Sequence, residues 1–81
     1  MARQEEIDVF MREYGMDIDP AYRALDVSAE LGEVAAEMLA ITEYGERQIH
    51  TNENLEKEFG DLYFSLIALA NKLNIDLDAA L

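Results

Sequence analysis

No cysteine occurs in the 81 residues. That excludes a disulfide framework and a thiolate zinc site, and it fits a reducing compartment. Basic residues are scarce: 6 Lys and Arg stand against 18 Asp and Glu, a net charge of -12. So acidic a chain lacks the basic footprint needed to bind a nucleic-acid backbone, but it is compatible with cation binding. No apolar run approaches the roughly 18–20 residues of a membrane span. The stretch "ARQEEIDVF" after Met1 has no apolar core of signal-peptide type. We therefore expect a soluble, cytoplasmic protein with neither a membrane nor a nucleic-acid partner.

Other absences remove whole chemistries. There is no sustained apolar alternation and no Asn-Gly hairpin, so no strand is expected. No glycine-rich loop ends in Gly-Lys-Ser/Thr, which excludes a Walker-type NTPase. The one histidine, His50, lies in a polar stretch, and neither acid motif reads Glu-x-x-His, so a di-iron carboxylate bundle is excluded. Ser28 and Ser65 have no basic or imidazole neighbour at useful spacing, which leaves no nucleophilic serine.

What is present is helix. Ile7, Phe10, Met11 and Tyr14 recur at helical spacing over residues 2–14, with Gly15 as a stop. "MDID" leads to a second helix, with Asp19 as N-cap and Pro20 in the first turn, running to about Tyr44 and ended by Gly45. The polar stretch "GERQIHTNEN" reads as a loop. Thr51 or Asn52 then caps a third helix over about 53–73, and Asp76 caps a short final turn. There is no linker or low-complexity segment, so residues 1–81 form a single domain. A core this small is marginal alone and is often completed by self-association.

A helix turns about 100° per residue, which fixes the faces. On the second helix Val27, Leu31, Val34, Met38 and Ile41 form one apolar arc. On the third, Leu55, Phe59, Leu62, Leu66, Leu69 and Leu73 do so. Beside the first arc runs a stripe of Asp26, Glu30, Glu33 and Glu37. Beside the second lie Glu58 and Asp61, with Ser65 a turn further on. The phrase "ELGE" at Glu30–Glu33 recurs as "EFGD" at Glu58–Asp61, and "ELGEVAAEMLAI" overlies "EFGDLYFSLIAL" at an offset of 28 residues. Glycine inside a helix costs about 1 kcal/mol relative to alanine, so Gly32 and Gly60 suggest close approach by a neighbour or a ligand.

If the two arcs pack as an antiparallel hairpin, the acid edges converge. Four carboxylates in one place must shed charge by protonation or by binding a cation. Hard divalent ions such as Mg2+ or Mn2+ prefer such oxygen ligands. The competing reading is a solvated acidic face. Two acid pairs on matching edges, each with an internal glycine, favour the cation. Asp26, a turn outside the phrase, reads as a solvated or salt-bridging acid. Glu37 reads as an extra ligand or a water-orienting base.

Glu30-x-x-Glu33 followed by Glu58-x-x-Asp61, within "SAELGEVAAEM" and "NLEKEFGDLYFSLIALANKLNIDLDAAL", resembles the signature of the MazG-like nucleotide pyrophosphohydrolases over roughly residues 20–81. The resemblance extends to the wider all-α pyrophosphatase superfamily, which includes phosphoribosyl-ATP pyrophosphohydrolases. It implies an all-α four-helix bundle, built on a helical hairpin and completed by homodimer or homotetramer formation. It implies Mg2+-dependent hydrolysis of nucleoside triphosphates to the monophosphate and pyrophosphate, in nucleotide-pool house-cleaning. Glu30, Glu33, Glu58 and Asp61 would hold the ions.

The substrate side is sparser. Lys57, Lys72 and Tyr14 are candidates to touch phosphate or base. The basic residue that related chains often carry four positions before the second motif is Asn54 here, so Lys57 or a partner subunit would supply that charge. The alternatives are a phosphoribosyl-ATP pyrophosphohydrolase and a non-catalytic helical dimerisation or regulatory module.

Overall fold

In the computed structural model, which describes residues 2–15 and 18–81, local capping signals set most helix ends. Helix α1 spans Ala2–Glu13, α2 Pro20–Thr42, α3 Glu53–Lys72 and α4 Leu77–Ala80. Among the described residues there is no strand. Met16 and Asp17, in the connection before α2, lie outside the described residues. The Asp19 carboxylate accepts from the Ala21 amide at 2.8 Å, and Pro20 occupies the first turn. Asn52, rather than Thr51, caps α3, its Oδ1 accepting from the Leu55 amide at 2.8 Å. Asp76 caps α4 through the amides of Asp78 and Ala79.

Helix α2 ends two residues earlier than expected. The Thr42 hydroxyl donates back to the Met38 carbonyl at 2.9 Å, and the Tyr44 amide reaches the Leu39 carbonyl at 2.9 Å. This closes a Schellman-type end in which Glu43 and Tyr44 already have positive φ, 49° and 59°. Gly45, with φ 94°, continues the reversal instead of starting it.

The hairpin is as expected: α2 and α3 pack together around Val34, Ile41 and Leu55, with Leu62 against them. The arcs need correction. Leu31, Met38, Phe59, Leu66 and Leu73 are exposed within the single chain, while Ile67, Ala68 and Ala70 are buried. For α3 the reason is α1, which lies across it and rotates its buried face. Phe10 meets Phe64 edge-on at a centroid distance of 6.0 Å. The buried Gln4 side chain donates to Asn71 Oδ1 and to the Ile75 carbonyl, and accepts from the Leu77 amide at 2.8 Å. Asn71 donates in return to the Gln4 carbonyl at 2.9 Å. One glutamine thus fastens α1 to the corner between α3 and α4. No helix among the described residues is long and apolar enough to cross a membrane.

Candidate metal centre

The acid phrases meet where the hairpin register brings them together. Within each helix the two acids are three residues apart and therefore share a face. Between the helices, packing of Val34 and Ile41 against Leu55 sets the depth, and Asn52 Nδ2 donating to Glu37 Oε1 at 3.3 Å ties the start of α3 to α2. Glu30, Glu33, Glu58 and Asp61 each place a ligand oxygen within 4.8 Å of the others. Glu30, Glu58 and Asp61 are half-buried, and Glu33 is exposed.

The electrostatics show what this convergence costs. Burial, a hydrogen bond with Glu33 and the charges of Glu33, Asp61 and Glu58 raise the Glu30 carboxyl above its ordinary pKa. For Glu58 the hydrogen bond with Glu33 is the leading cause, followed by burial and the charges of Glu33 and Asp61, while the Lys57 ammonium pulls it partly back. The mutual repulsion of the clustered carboxylates favours protonation of Glu30 and Glu58 when no cation is bound. Glu30 Oε2 and Glu58 Oε2 are shielded from water and have no hydrogen-bond partner. Such orphaned acceptors are rare in folded proteins. An all-oxygen donor set with two orphaned, buried oxygens fits a hard divalent cation, which would supply the missing partner and remove the repulsion. The cluster can therefore hold a metal ion.

The other candidate residues are placed unevenly. Glu37 is half-buried and held by Asn52, one turn beyond Glu33. Lys57 is exposed, and its charge is felt at Glu58. Asn54 is exposed in the first turn of α3. Tyr14 is exposed and packs on Phe10, with ring centroids 4.7 Å apart. Lys72 is not brought to the acids: it lies eleven residues past Asp61, about 16 Å along the helix. Asp26 pairs with Arg23 at 3.6 Å, in keeping with a salt-bridging role. Gly32 and Gly60 do not meet a neighbour among the described residues. A Cβ built at Gly32 or Gly60 would find nothing within 4 Å. The close approach expected of them is not made by α1, α2 or α3 of the same chain.

An all-α chain with four carboxylates converging across a helical hairpin is thus the class that fold and site define. Among known proteins it is 33% identical over 81 residues to the uncharacterized protein YpjD of Bacillus subtilis (strain 168), across 95% of this chain and 71% of that one. The chain belongs to the family of that protein. No family model matches the chain, and no solved structure gives a significant match.

Proposed function

We propose that the chain is a Mg2+-dependent, MazG-like nucleoside triphosphate pyrophosphohydrolase that removes unwanted nucleotides from the cellular pool. The observation that carries this reading is the four-carboxylate cluster with its two orphaned, buried oxygens, taken with the resemblance of both acid phrases to that family. Glu30, Glu33, Glu58 and Asp61 would hold Mg2+, or Mn2+. The bound cation would supply neutralisation of triphosphate charge and Lewis acidity at the phosphoryl oxygens. Glu37, positioned by Asn52, would orient a water molecule and accept its proton. The water oxygen bonds to the α-phosphorus, the bond to the bridging oxygen breaks, and pyrophosphate leaves with the electron pair. Lys57, beside Glu58, would face the departing charge. Positioning and charge complementarity supply most of such a reaction.

The same reading makes the enzyme a homodimer or homotetramer. Leu31 and Phe59, the apolar residues inside the two phrases, are 56% and 52% exposed. Beside each is a glycine facing open space. An apolar surface notched by glycine, directly beside the acids, is what a partner helix would cover. Pyrophosphate release from nucleoside triphosphates with Mg2+, and its loss with EDTA, tests the proposal and separates it from a non-catalytic dimerisation module. Turnover confined to phosphoribosyl-ATP would select the other pyrophosphohydrolase.

A further inference from the structure

Spacing alone leaves Glu37 two roles, extra metal ligand or water-orienting base. It follows Glu33 by four residues on α2, and side chains at that spacing are neighbours on one helix face. A glutamate there is long enough to lean toward Glu33 and add its oxygens to the cluster. The structure places it otherwise. The oxygens that lie within 4.8 Å of one another belong to Glu30, Glu33, Glu58 and Asp61. Glu37 is held apart from them by Asn52, whose Nδ2 donates to Glu37 Oε1 at 3.3 Å.

This hold is built into the start of α3. Asn52 is the N-cap, and its Oδ1 accepts from the Leu55 amide at 2.8 Å. The carbonyl end of the side-chain amide is thereby committed to the cap, since the nitrogen end can only donate. The nitrogen must point the other way, and there it meets Glu37, 15 residues back in the chain. One side chain thus sets both where α3 begins and where the Glu37 carboxylate sits. Capping by itself does not call for an amide, because Ser and Asp cap about as well as Asn. An ionised Asp would offer Glu37 only acceptors, and a serine hydroxyl stops one bond short of the amide nitrogen.

We propose that Asn52 is a positioning residue that decides the role of Glu37. It keeps this carboxylate out of the metal centre, with Oε1 engaged and Oε2 turned to a water molecule. Without Asn52, Glu37 joins the cluster as a further ligand. Cation affinity rises with the charge of the ligand set, so a released Glu37 tightens the hold on the ion. It also brings another negative charge toward the phosphates and leaves the water without its base. The metal half of this proposal needs only that the cluster takes a cation. The water-orienting half rests on the reaction proposed above.

The test is Mg2+ affinity of the full chain, by calorimetry in about 0.15 M salt to screen distant charges. The proteins are the wild type, Asn52→Ser, Glu37→Gln and the double variant. Serine keeps the cap, and Asn52→Thr serves in the same way should the serine variant not fold. With Glu37 present, losing Asn52 should tighten Mg2+ by about threefold or more. In the Glu37→Gln background the same substitution should change nothing. A merely structural effect of the serine would appear equally in both backgrounds. Equal or weaker Mg2+ binding by folded Asn52→Ser would overturn the proposal, and so would a gain that persists without Glu37. In turnover, Asn52→Ser should lower kcat in the wild-type background and not in the Glu37→Gln background; an equal loss in both would overturn the water-orienting half. A wild type that binds no Mg2+ would overturn the proposal together with the metal centre. One that binds Mg2+ yet hydrolyses no nucleotide would remove the reaction and with it the water-orienting half, while the calorimetric comparison still decides the metal half.

Discussion

Cation binding should expel protons, and the structure names the groups that release them. Glu30 and Glu58 are the two carboxyls raised above their ordinary values, each by burial and by Glu33. Both therefore keep their protons to a higher pH than an ordinary glutamate, whose value is about 4.3. Saturating Mg2+ should then release more protons at pH 5 than at pH 8. Glu58→Gln should release fewer than the wild type at pH 5. The stability of the metal-free protein carries the same signature with its sign fixed. An acid whose folded pKa is raised contributes stability that is present below its unfolded value and is lost as pH rises through the folded value. Metal-free protein should therefore unfold more readily at pH 8 than at pH 5, and Mg2+ should remove most of that difference. At 100 times Kd the cation adds about 2.7 kcal/mol, which for a domain this small corresponds to roughly 10–20 °C in Tm. Calorimetry in two buffers of different ionisation enthalpy gives the proton count, and thermal scans give the stability. Mg2+ binding with no proton release at pH 5, or metal-free protein equally stable at both pH values, would refute the electrostatic reasoning.

Other consequences can be checked separately. Ile67, fully buried where α1 crosses α3, should lose about 2–5 kcal/mol in urea unfolding on replacement by alanine, and a loss below 0.5 kcal/mol would mean that α1 does not pack there. Gln4→Ala strips a partner each from Asn71 Oδ1, the Ile75 carbonyl and the Leu77 amide and should cost about 1–3 kcal/mol, with faster amide exchange at Leu77. A Cβ at Gly60 meets nothing within 4 Å among the described residues, so Gly60→Leu should preserve helicity by circular dichroism yet disrupt self-association by light scattering. An unchanged oligomer would remove Gly60 from the interface.

Much of this architecture is legible from short-range signals, because they act locally. Asp19 with Pro20, Asn52 and Asp76 cap their helices wherever the rest of the chain goes. The acid cluster is legible for a related reason: helix geometry fixes Glu30 beside Glu33 and Glu58 beside Asp61, and a hairpin needs only one register to bring the pairs together. What spacing could not supply is anything set by a third body. The Leu66 and Leu73 positions look like core until α1 selects Ile67, Ala68 and Ala70 instead. The end of α2 is made by Glu43 and Tyr44, two non-glycine residues with positive φ, ahead of the stop expected at Gly45. Asn52 and Glu37 are 15 residues apart with no common period, so only the packed structure joins them.

The central claim concerns the chemistry of the carboxylate cluster, and one measurement addresses it directly. Wild-type protein and Glu58→Ala, both shown to be folded, are assayed for pyrophosphate release across natural and modified nucleoside triphosphates, with Mg2+, with Mn2+ and with EDTA. We predict metal-dependent release of pyrophosphate and the monophosphate from at least one nucleotide by the wild type, abolished by EDTA and in Glu58→Ala. Release of phosphate instead of pyrophosphate, turnover surviving EDTA, or no turnover of any nucleotide with either metal would contradict it.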